Sequence, residues 1–338
     1  MPFTNDGTEN LMRWDRRSAG FLEVWYATLN HAESGSGIWL RYTITAPDVG
    51  PAHCALWAVR FDPDGKRTVA IKNRMDIDHL APAHGRDDGA IVRMGDSWLS
   101  ESHLEGRVAG DDRTISWSLD IEPADRCFQH FPARLRRRAE RKFSTLCSPN
   151  LSVPFTGEVQ VDDETLTFTG DHGCQSHRWG KRNALSWAWA HCSNFEQGEG
   201  AVFEAAAGRT TLGPVPAPTL TFVFLHFRGE DIAFNDLKWA LRAKGTYEMP
   251  TWAFSARNER WKLVGAARAS IDRFVQVHYE DPDAKSHFCA NTEVADLALE
   301  LYRLDDGRWL HVTSLSSIKG AHLEFGRKDP FSEMPIVL

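Results

Sequence analysis

Apolar residues occur along the chain in short runs that alternate with polar residues or are rich in β-branched side chains, and Gly, Asp, Asn or Pro bounds nearly every run. This pattern is typical of antiparallel β-strands. Successive strands are predicted at residues 21–29, 37–45 and 53–62. The sequence Asp62-Pro63-Asp64-Gly65 then predicts a turn, because Pro presets φ at the second turn position and Gly accepts a positive φ.

The second half of the chain continues this pattern, and Asp305-Asp306-Gly307 predicts a hairpin between its last two strands. A strand about every 8 to 12 residues favours barrels or sandwiches over βαβ units. A chain of 338 residues has room for two domains, and each half contains about enough strands for one barrel. The strands predicted in this half lie near 185–196, 200–208, 218–228, 231–242, 252–256, 260–270, 273–280, 293–303 and 308–317.

One segment has the periodicity of a helix. Its apolar residues recur at spacings of three and four, which predicts an amphipathic helix over 128–143 with a strongly basic polar face. Such a helix can lie on a membrane surface, cap a barrel mouth or simply connect two domains in solvent. We favour the connecting helix and expect at most a weak membrane contact through 131–142. The stripe comprises Phe128, Phe131, Leu135, Ala139 and Phe143, and the basic residues are Arg134, Arg136, Arg137, Arg138, Arg141 and Lys142.

Composition and charge narrow the possible partners. The formal net charge of -7 argues against a nucleic-acid partner held by a general positive field. Residues 1–10 lack the features of a signal peptide, and no apolar run approaches the roughly 18 residues of a spanning helix. We therefore expect a cytoplasmic protein whose six scattered cysteines are reduced and buried. The 13 Trp and 19 Phe residues require either a thick core or a cavity.

The most informative segment is Trp187-x-Trp189-x-His191. Because successive side chains of a strand point to opposite faces, these three rings share one face. Two indoles and an imidazole suit a large apolar ligand with one polar or protonatable point. The alternative is a well-packed core strand.

With its flanking residues, this segment supports a family resemblance. His177-x-Trp179-Gly180, followed by Trp187-x-Trp189 and Phe195, resembles a motif of the double-lipocalin family, which includes tocopherol cyclase, carotenoid 1,2-hydratases and lipocalin-like pericyclases. The resemblance implies an all-β protein of two consecutive lipocalin-like antiparallel barrels, at 15–160 and 161–330, with a short basic helix in the connecting region. Weaker matches are Leu22-Glu23-Val24-Trp25-Tyr26, Ile38-Trp39-Leu40-Arg41-Tyr42-Thr43 and Ala55-Leu56-Trp57.

The resemblance also implies a type of chemistry. Members of the family protonate, hydrate or fold an unsaturated chain in a dry pocket without a redox cofactor, which requires a buried acid and aromatic walls. We predict His177, His191 and Glu23 as catalytic residues; Asp171 and Glu101 are further candidate acids. Tocopherol cyclase has no His matching His191, so this chain need not form a chromanol ring. The predicted ligand-binding residues are Trp25, Trp179, Trp187, Trp189, Phe224 and His226.

Each assignment has a structural alternative. Glu23 shares a strand face with Trp25, but that face is equally compatible with an edge strand in water. His226 ends the run Leu220-x-Phe222-x-Phe224-x-His226, where a lone His is typical of a core or rim position. The cluster Asp171, His172, Cys174 and His177 lacks the spacing of a zinc site, so we expect no metal. No phosphate loop or dinucleotide motif is present in the sequence, so we expect no cofactor.

Three classes of function remain open after these considerations. The first is a cofactor-independent enzyme that cyclises, hydrates or isomerises an apolar unsaturated small molecule of isoprenoid or polyketide type. The second is a non-catalytic carrier of a lipid or pigment, because a binder needs the same aromatic wall without an acid. A membrane-associated adaptor that uses the basic helix is a third possibility.

Overall fold

The computed structural model describes residues 2–5, 7–81, 89–133, 135–136, 139, 143–212 and 215–338. Two large antiparallel sheets contain most of the described residues, which confirms the prediction of an all-β protein. All six cysteines are buried, as predicted. Within the described part of the chain, no helix is both long and apolar enough to cross a membrane.

The first sheet has twelve strands, and its hydrogen-bonded path runs β5-β4-β3-β2-β12-β11-β9-β8-β7-β6, with β10 pairing β1 and β11. Between β5 and β8, the Asn73 side chain bonds the backbone of Ala109 in both directions at 2.8 Å. The sheet thus curls around its core. The strands are β1 (Phe3–Thr4), β2 (Phe21–Asn30), β3 (Gly37–Ala46), β4 (His53–Phe61), β5 (Val69–Asp76), β6 (Val92–Met94), β7 (Ser97–Leu99), β8 (His103–Ala109), β9 (Thr114–Ile121), β10 (Cys127–Gln129), β11 (Ser144–Val161) and β12 (Glu164–Gly180).

The second sheet has ten strands in the order β18-β17-β14-β13-β24-β23-β21-β20-β19, and β22 pairs with β23. The short strands β15 (Thr211–Leu212) and β16 (Val215–Pro216) form a separate ribbon. Helix α1 (Leu237–Ala240) and two 3-10 turns, Ile77–His79 and Ile271–Arg273, are further described elements. The strands are β13 (Ser186–Cys192), β14 (Val202–Arg209), β17 (Leu220–Phe227), β18 (Glu230–Ala233), β19 (Lys244–Glu248), β20 (Thr251–Arg257), β21 (Trp261–Arg268), β22 (Val275–Glu280), β23 (Ser286–Asp305) and β24 (Arg308–Arg327).

The chain passes from the first sheet to the second between Gly180 and Ser186. The predicted domain limits, 15–160 and 161–330, meet at the end of β11, inside the first sheet. Both of these long strands pair with other strands of the first sheet, β11 with β9 and β12 with β2. The connection between the sheets is therefore the short segment 181–185.

The predicted helix over 128–143 begins too early. Phe128 lies in β10 and pairs with Phe3 and Ser148, and its ring packs against Phe224 of the second sheet. Residues 133, 135, 136 and 139 are helical; of the predicted basic face, only Arg136 is among the described residues. The apolar residues spaced three and four apart therefore located a helical segment, but this segment begins after β10.

The predicted strand 231–242 is also wrong over its second half. Strand β18 ends at Ala233, and α1 follows after Asn235 and Asp236. The carbonyl of Asp236 accepts hydrogen bonds from the backbone N–H of Trp239 and Ala240, both at 2.9 Å. Asn and Asp favour helix starts, and they interrupt the strand here.

Strands β2, β3 and β4 are buried along nearly their whole length. One face of these strands forms the core of the first sheet, and the second sheet covers the other face. At one contact Gly37 of β3 approaches Glu293 of β23 so closely that a Cβ on Gly37 would lie 2.2 Å from the Glu293 Cβ. The two halves of the molecule are therefore packed tightly together.

Candidate active site at the junction of the two sheets

A cavity of about 550 Å³ lies between the two sheets. The alternation of side chains along β2 determines which residues line the cavity. Val24 and Tyr26 point into the cavity, whereas Glu23 and Trp25 point to the opposite face of the strand and are fully buried. Among its lining residues, Leu237 and Leu241 are 41% and 50% exposed, which places an opening beside α1. Further lining residues include Trp39, Arg41, Phe131, Leu135, Ala139, Phe143, Leu146, Arg178, Trp187, Trp189, Ala206, Leu220, Phe222, Tyr279 and Glu324.

The aromatic wall of the cavity is formed by residues of both sheets. The ring of Trp189 meets Tyr26 edge-on, with centroids 5.3 Å apart. Trp187 stacks over Tyr279 at 6.5 Å and an interplanar angle of 13°. Space for the Trp187 indole exists because its cross-strand neighbour is Gly326; a Cβ there would lie 2.0 Å from the ring. The predicted placing of Trp187 and Trp189 on one face is thus realised, and that face lines the cavity.

An acid that the sequence reasoning missed lies beside this wall. Glu324 of β24 is directly opposite Trp189 across the strand pair, and its Oε1 accepts a hydrogen bond from Trp187 Nε1 at 2.5 Å. Burial raises the pKa of Glu324, although Trp187 and the cations Arg41 and Arg178 act in the opposite direction. The carboxyl of Glu324 therefore keeps its proton to a higher pH than an ordinary Glu does. A proton donor in an apolar cavity requires this protonated form.

Behind Glu324 lies a buried His–Glu pair. The Nδ1 of His322 is 2.6 Å from Glu293 Oε1, and its Nε2 is 3.8 Å from Glu324 Oε2. Burial raises the pKa of Glu293 well above its ordinary value and lowers that of His322 well below its ordinary value. These two shifts favour the arrangement in which a protonated Glu293 donates to Nδ1 of a neutral His322. His322 also packs on Trp189, with ring centroids 3.9 Å apart.

His191 belongs to a second buried cluster and does not line the cavity. Its Nδ1 is 3.0 Å from Glu204 Oε2, while Trp189 Nε1 and His130 Nε2 both contact Glu204 Oε1. Burial alone would raise the pKa of Glu204, but His130 and His191 outweigh it and lower the pKa to about 2. The resulting carboxylate holds the Trp189 indole in place from behind.

The other two predicted catalytic residues, His177 and Glu23, are brought together away from the cavity. Both are fully buried, with His177 Nε2 2.9 Å from Glu23 Oε1. Nδ1 of His177 is 2.8 Å from the carbonyl oxygen of Glu9, and the backbone N–H groups of Arg13 and Trp14 donate to the Glu23 carboxylate. This pair ties the segment before β2 to the first sheet.

The remaining predicted ligand-binding residues are not among those that line the cavity. The ring of Trp25 stacks on His177, with centroids 4.7 Å apart, and the ring of Trp179 lies 4.6 Å from the same imidazole. Phe224 contacts Phe3 and Phe128. His226, whose side chain is 32% exposed, bonds Asp231 at 2.7 Å.

The cluster considered for zinc is dispersed along β12. Asp171 accepts the backbone N–H of Ala32, and His172 bonds Ser152, whereas Cys174 is buried and packs near Phe224. Among the described residues, no group of three His, Cys, Asp or Glu side chains has an arrangement that could hold a metal ion.

Comparison with known proteins agrees with this architecture. The model of the tocopherol cyclase-like family matches residues 145–327. The uncharacterized protein Rv0493c of Mycobacterium tuberculosis (strain ATCC 25618 / H37Rv) is 29% identical over 305 residues, which are 86% of this chain and 84% of that protein.

Solved structures resemble the whole chain at low sequence identity. A putative AttH from Nitrosomonas europaea has a TM-score of 0.55 at 14% identity, covering 91% of this chain and 93% of its own. Kievitone hydratase from Nectria haematococca has a TM-score of 0.56 at 9% identity, covering 97% and 94%. CghA, solved with Sch210972, has a TM-score of 0.55 at 10% identity, covering 99% of both chains. These structures share the lipocalin-like double-barrel fold, and the chain belongs to the tocopherol cyclase-like family.

Proposed function

We propose that the protein is a cofactor-independent enzyme that uses Glu324 to protonate an apolar, unsaturated small molecule bound between the two sheets. The observation that carries this proposal is a buried carboxyl of raised pKa beside two indoles in a mostly apolar cavity. A carrier needs the apolar wall, but it has no need of a buried acid within it.

The chemistry follows from the cavity's residues. Protonation of a C=C bond by the Glu324 carboxyl forms a C–H bond and leaves a carbocation and a Glu324 carboxylate. The π-faces of Trp187 and Trp189 stabilise positive charge as it develops. Attack by water, attack by another group of the same molecule, or loss of a neighbouring proton then gives hydration, cyclisation or isomerisation. Each route releases one proton, which restores the Glu324 carboxyl.

The comparisons support this class of reaction without selecting one of its members. The family is described as tocopherol cyclase-like, and one structural relative is a hydratase. Our proposal therefore extends to an isoprenoid-type or polyketide-type substrate that undergoes cyclisation, hydration or isomerisation. We also propose a cytoplasmic location, no nucleic-acid partner and at most a weak membrane contact through 131–142.

Of the sequence-predicted acids, His177, His191 and Glu23 do not line the cavity. We propose that they act as positioning residues: Glu23 and His177 fix the N-terminal segment, and His191 supports the carboxylate that holds Trp189. This proposal places the proton-donating role on Glu324 instead.

Product analysis separates the enzyme from the carrier. The protein is purified from its own host, apolar compounds that copurify with it are identified by native mass spectrometry, and related unsaturated compounds are incubated with wild type and Glu324→Gln. We expect wild type to convert a compound and Glu324→Gln to convert it about 100-fold more slowly or worse, since general acids contribute on the order of 100-fold to 10,000-fold.

Glu300→Gln is the matched control, because Glu300 is an exposed carboxylate of the same sheet that pairs with His311. This control should leave turnover unchanged. Return of every bound compound intact by wild type would instead identify a carrier. Equal turnover by wild type and Glu324→Gln would remove Glu324 from the mechanism.

A further inference from the structure

The cavity contains a buried cation with unused donors. Arg41 is only 7% exposed, and its Nε donates to Thr43 Oγ1 at 2.9 Å. Its guanidinium lies over the ring of Tyr279, with 4.4 Å from Cζ to the centroid, and within 5.1 Å of the Trp57 ring centroid. Among the described residues, no side chain or carbonyl accepts a hydrogen bond from either Nη atom of Arg41, and no carboxylate lies within 4.0 Å of it.

A second guanidinium lines the same cavity. Arg178 of β12 donates from Nη2 to Ser144 Oγ at 3.0 Å and to the carbonyl of Arg182 at 3.3 Å. Within the described ranges it too has no carboxylate partner within 4.0 Å. Asp281 influences Arg178 electrostatically, but its carboxylate accepts three hydrogen bonds from Asn183. Arg178 is therefore held in place by neutral acceptors.

The cavity thus has an excess of positive charge. Glu324 is the acidic residue among the lining residues described, and even its ionised form would balance only one of the guanidinium groups of Arg41, Arg178 and Arg182 that line the cavity. A buried cation without a counter-ion is unfavourable, and it is compensated when a carboxylate binds. The planar guanidinium with free Nη–H groups matches the geometry of an ionised carboxylate.

We propose that the compound bound in the cavity carries a carboxylate, held by Arg41 and Arg178, at one end of an apolar unsaturated chain that lies against Trp187 and Trp189. This inference deepens the proposed function and rests on it for the location of the site. It specifies the substrate class as an apolar acid, rather than a neutral hydrocarbon or alcohol. The carboxylate anchors the chain, so that Glu324 meets a fixed position of the unsaturated part.

Binding of a matched pair of probes tests the proposal directly. The probes are cis-parinaric acid, a conjugated tetraene carboxylic acid, and the alcohol with the same chain. Binding at pH 7 is followed by probe fluorescence and by quenching of tryptophan emission. We expect wild type to bind the acid at least about tenfold more tightly than the alcohol, because hydrogen bonds to charged groups have this magnitude.

Variants identify the groups that recognise the acid. Arg41→Gln and Arg178→Gln should each reduce or abolish the preference for the acid. Affinity for the alcohol should stay within about twofold of the wild-type value, a change that is small compared with the free energy of one hydrogen bond. Lys72→Gln is the matched control, since Lys72 also stacks on Trp57, at 4.0 Å, but does not line the cavity. Circular dichroism checks folding, and the acid–alcohol comparison on wild type needs no variant.

Each outcome bears on the proposal. Equal binding of acid and alcohol by wild type overturns the carboxylate inference while leaving the apolar cavity and its enzyme function intact. A preference for the acid that survives both arginine substitutions places the anion elsewhere and also overturns it. If neither probe binds, the cavity is not a site for apolar chains, and the proposed function falls as well. Glu324→Gln should keep the preference while losing turnover, which separates binding from chemistry.

Discussion

Replacing Glu204 with Gln tests the buried cluster that supports the aromatic wall. The Glu204 carboxylate contacts His130 at 2.5 Å and His191 at 3.0 Å, and it accepts a hydrogen bond from Trp189 Nε1. Its pKa is lowered from 4.5 to about 2. Because one pKa unit corresponds to about 1.36 kcal/mol, this difference stabilises the folded protein by about 3 kcal/mol at neutral pH.

The sign of the pH dependence follows from the lowered pKa of Glu204. The stabilisation is present in full above the unfolded-state pKa near 4.5, and it is lost as pH falls toward the folded-state value of about 2. Urea unfolding, followed by tryptophan fluorescence from pH 7 to pH 3, measures it. Wild type should be about 3 kcal/mol more stable than Glu204→Gln at pH 7, and less than about half of that difference should remain at pH 3.

Glu300→Gln is the control for this experiment. Glu300 pairs with His311 on the surface, with side chains 45% and 48% exposed, so its replacement should change stability by less than about 1 kcal/mol at any pH. A stability difference between wild type and Glu204→Gln that stays constant from pH 7 to pH 3 would refute the reasoning. Such a result would mean that Glu204 is not held ionised by His130 and His191.

Three further changes test other parts of the structure. Gly326→Ala would place a Cβ 2.0 Å from the Trp187 indole. We therefore expect a folded protein in which the indole is displaced, the tryptophan emission is changed and turnover is reduced. Unchanged emission and turnover would contradict this expectation. Gly37→Ala would bring a Cβ within 2.2 Å of Glu293, and we expect the unfolding free energy measured in urea to fall by about 1 to 3 kcal/mol. An unfolding free energy equal to that of wild type would show that the two sheets can move apart here at little cost. Glu23→Gln should lower unfolding free energy by about 1 to 3 kcal/mol while the remaining folded protein keeps its turnover; loss of turnover without loss of stability would restore Glu23 as a catalytic residue.

The strands were predictable because alternation is a local property of the sequence. Strands β2, β3 and β4 each differ from the predicted residues by a single residue at one end. The predicted hairpin at Asp305-Asp306-Gly307 joins β23 to β24. Likewise, the shared face of Trp187 and Trp189 follows from strand geometry alone.

The acid could not be predicted in the same way. Glu324 stands between Leu323 and Phe325, an alternation that normally predicts a solvent-facing carboxylate. Its burial results from the first sheet covering this face, and its position opposite Trp189 depends on the register of β13 with β24. Both are long-range features that a local pattern does not contain. Conversely, Glu23 and His177 share a site because β2 pairs with β12, but that site is a satisfied core cluster.

Arg41 illustrates the same limit. In sequence it is the one charged residue of the strand Gly37–Ala46, and such a residue favours an exposed edge. In the structure the second sheet covers β3, and Tyr279 packs on the guanidinium at 4.4 Å. The positive charge of the cavity therefore depends on how the two halves pack.

The most direct test of the central claim is the pH dependence of kcat/KM for wild type and Glu324→Gln with the same converted substrate. A general acid must be protonated, and burial raises the pKa of Glu324 above its ordinary value of 4.5. Wild-type kcat/KM should therefore fall as pH rises through this raised pKa, and Glu324→Gln should show low activity without that descending limb. A descending limb that persists unchanged in Glu324→Gln would contradict the account, because another group would then supply the proton.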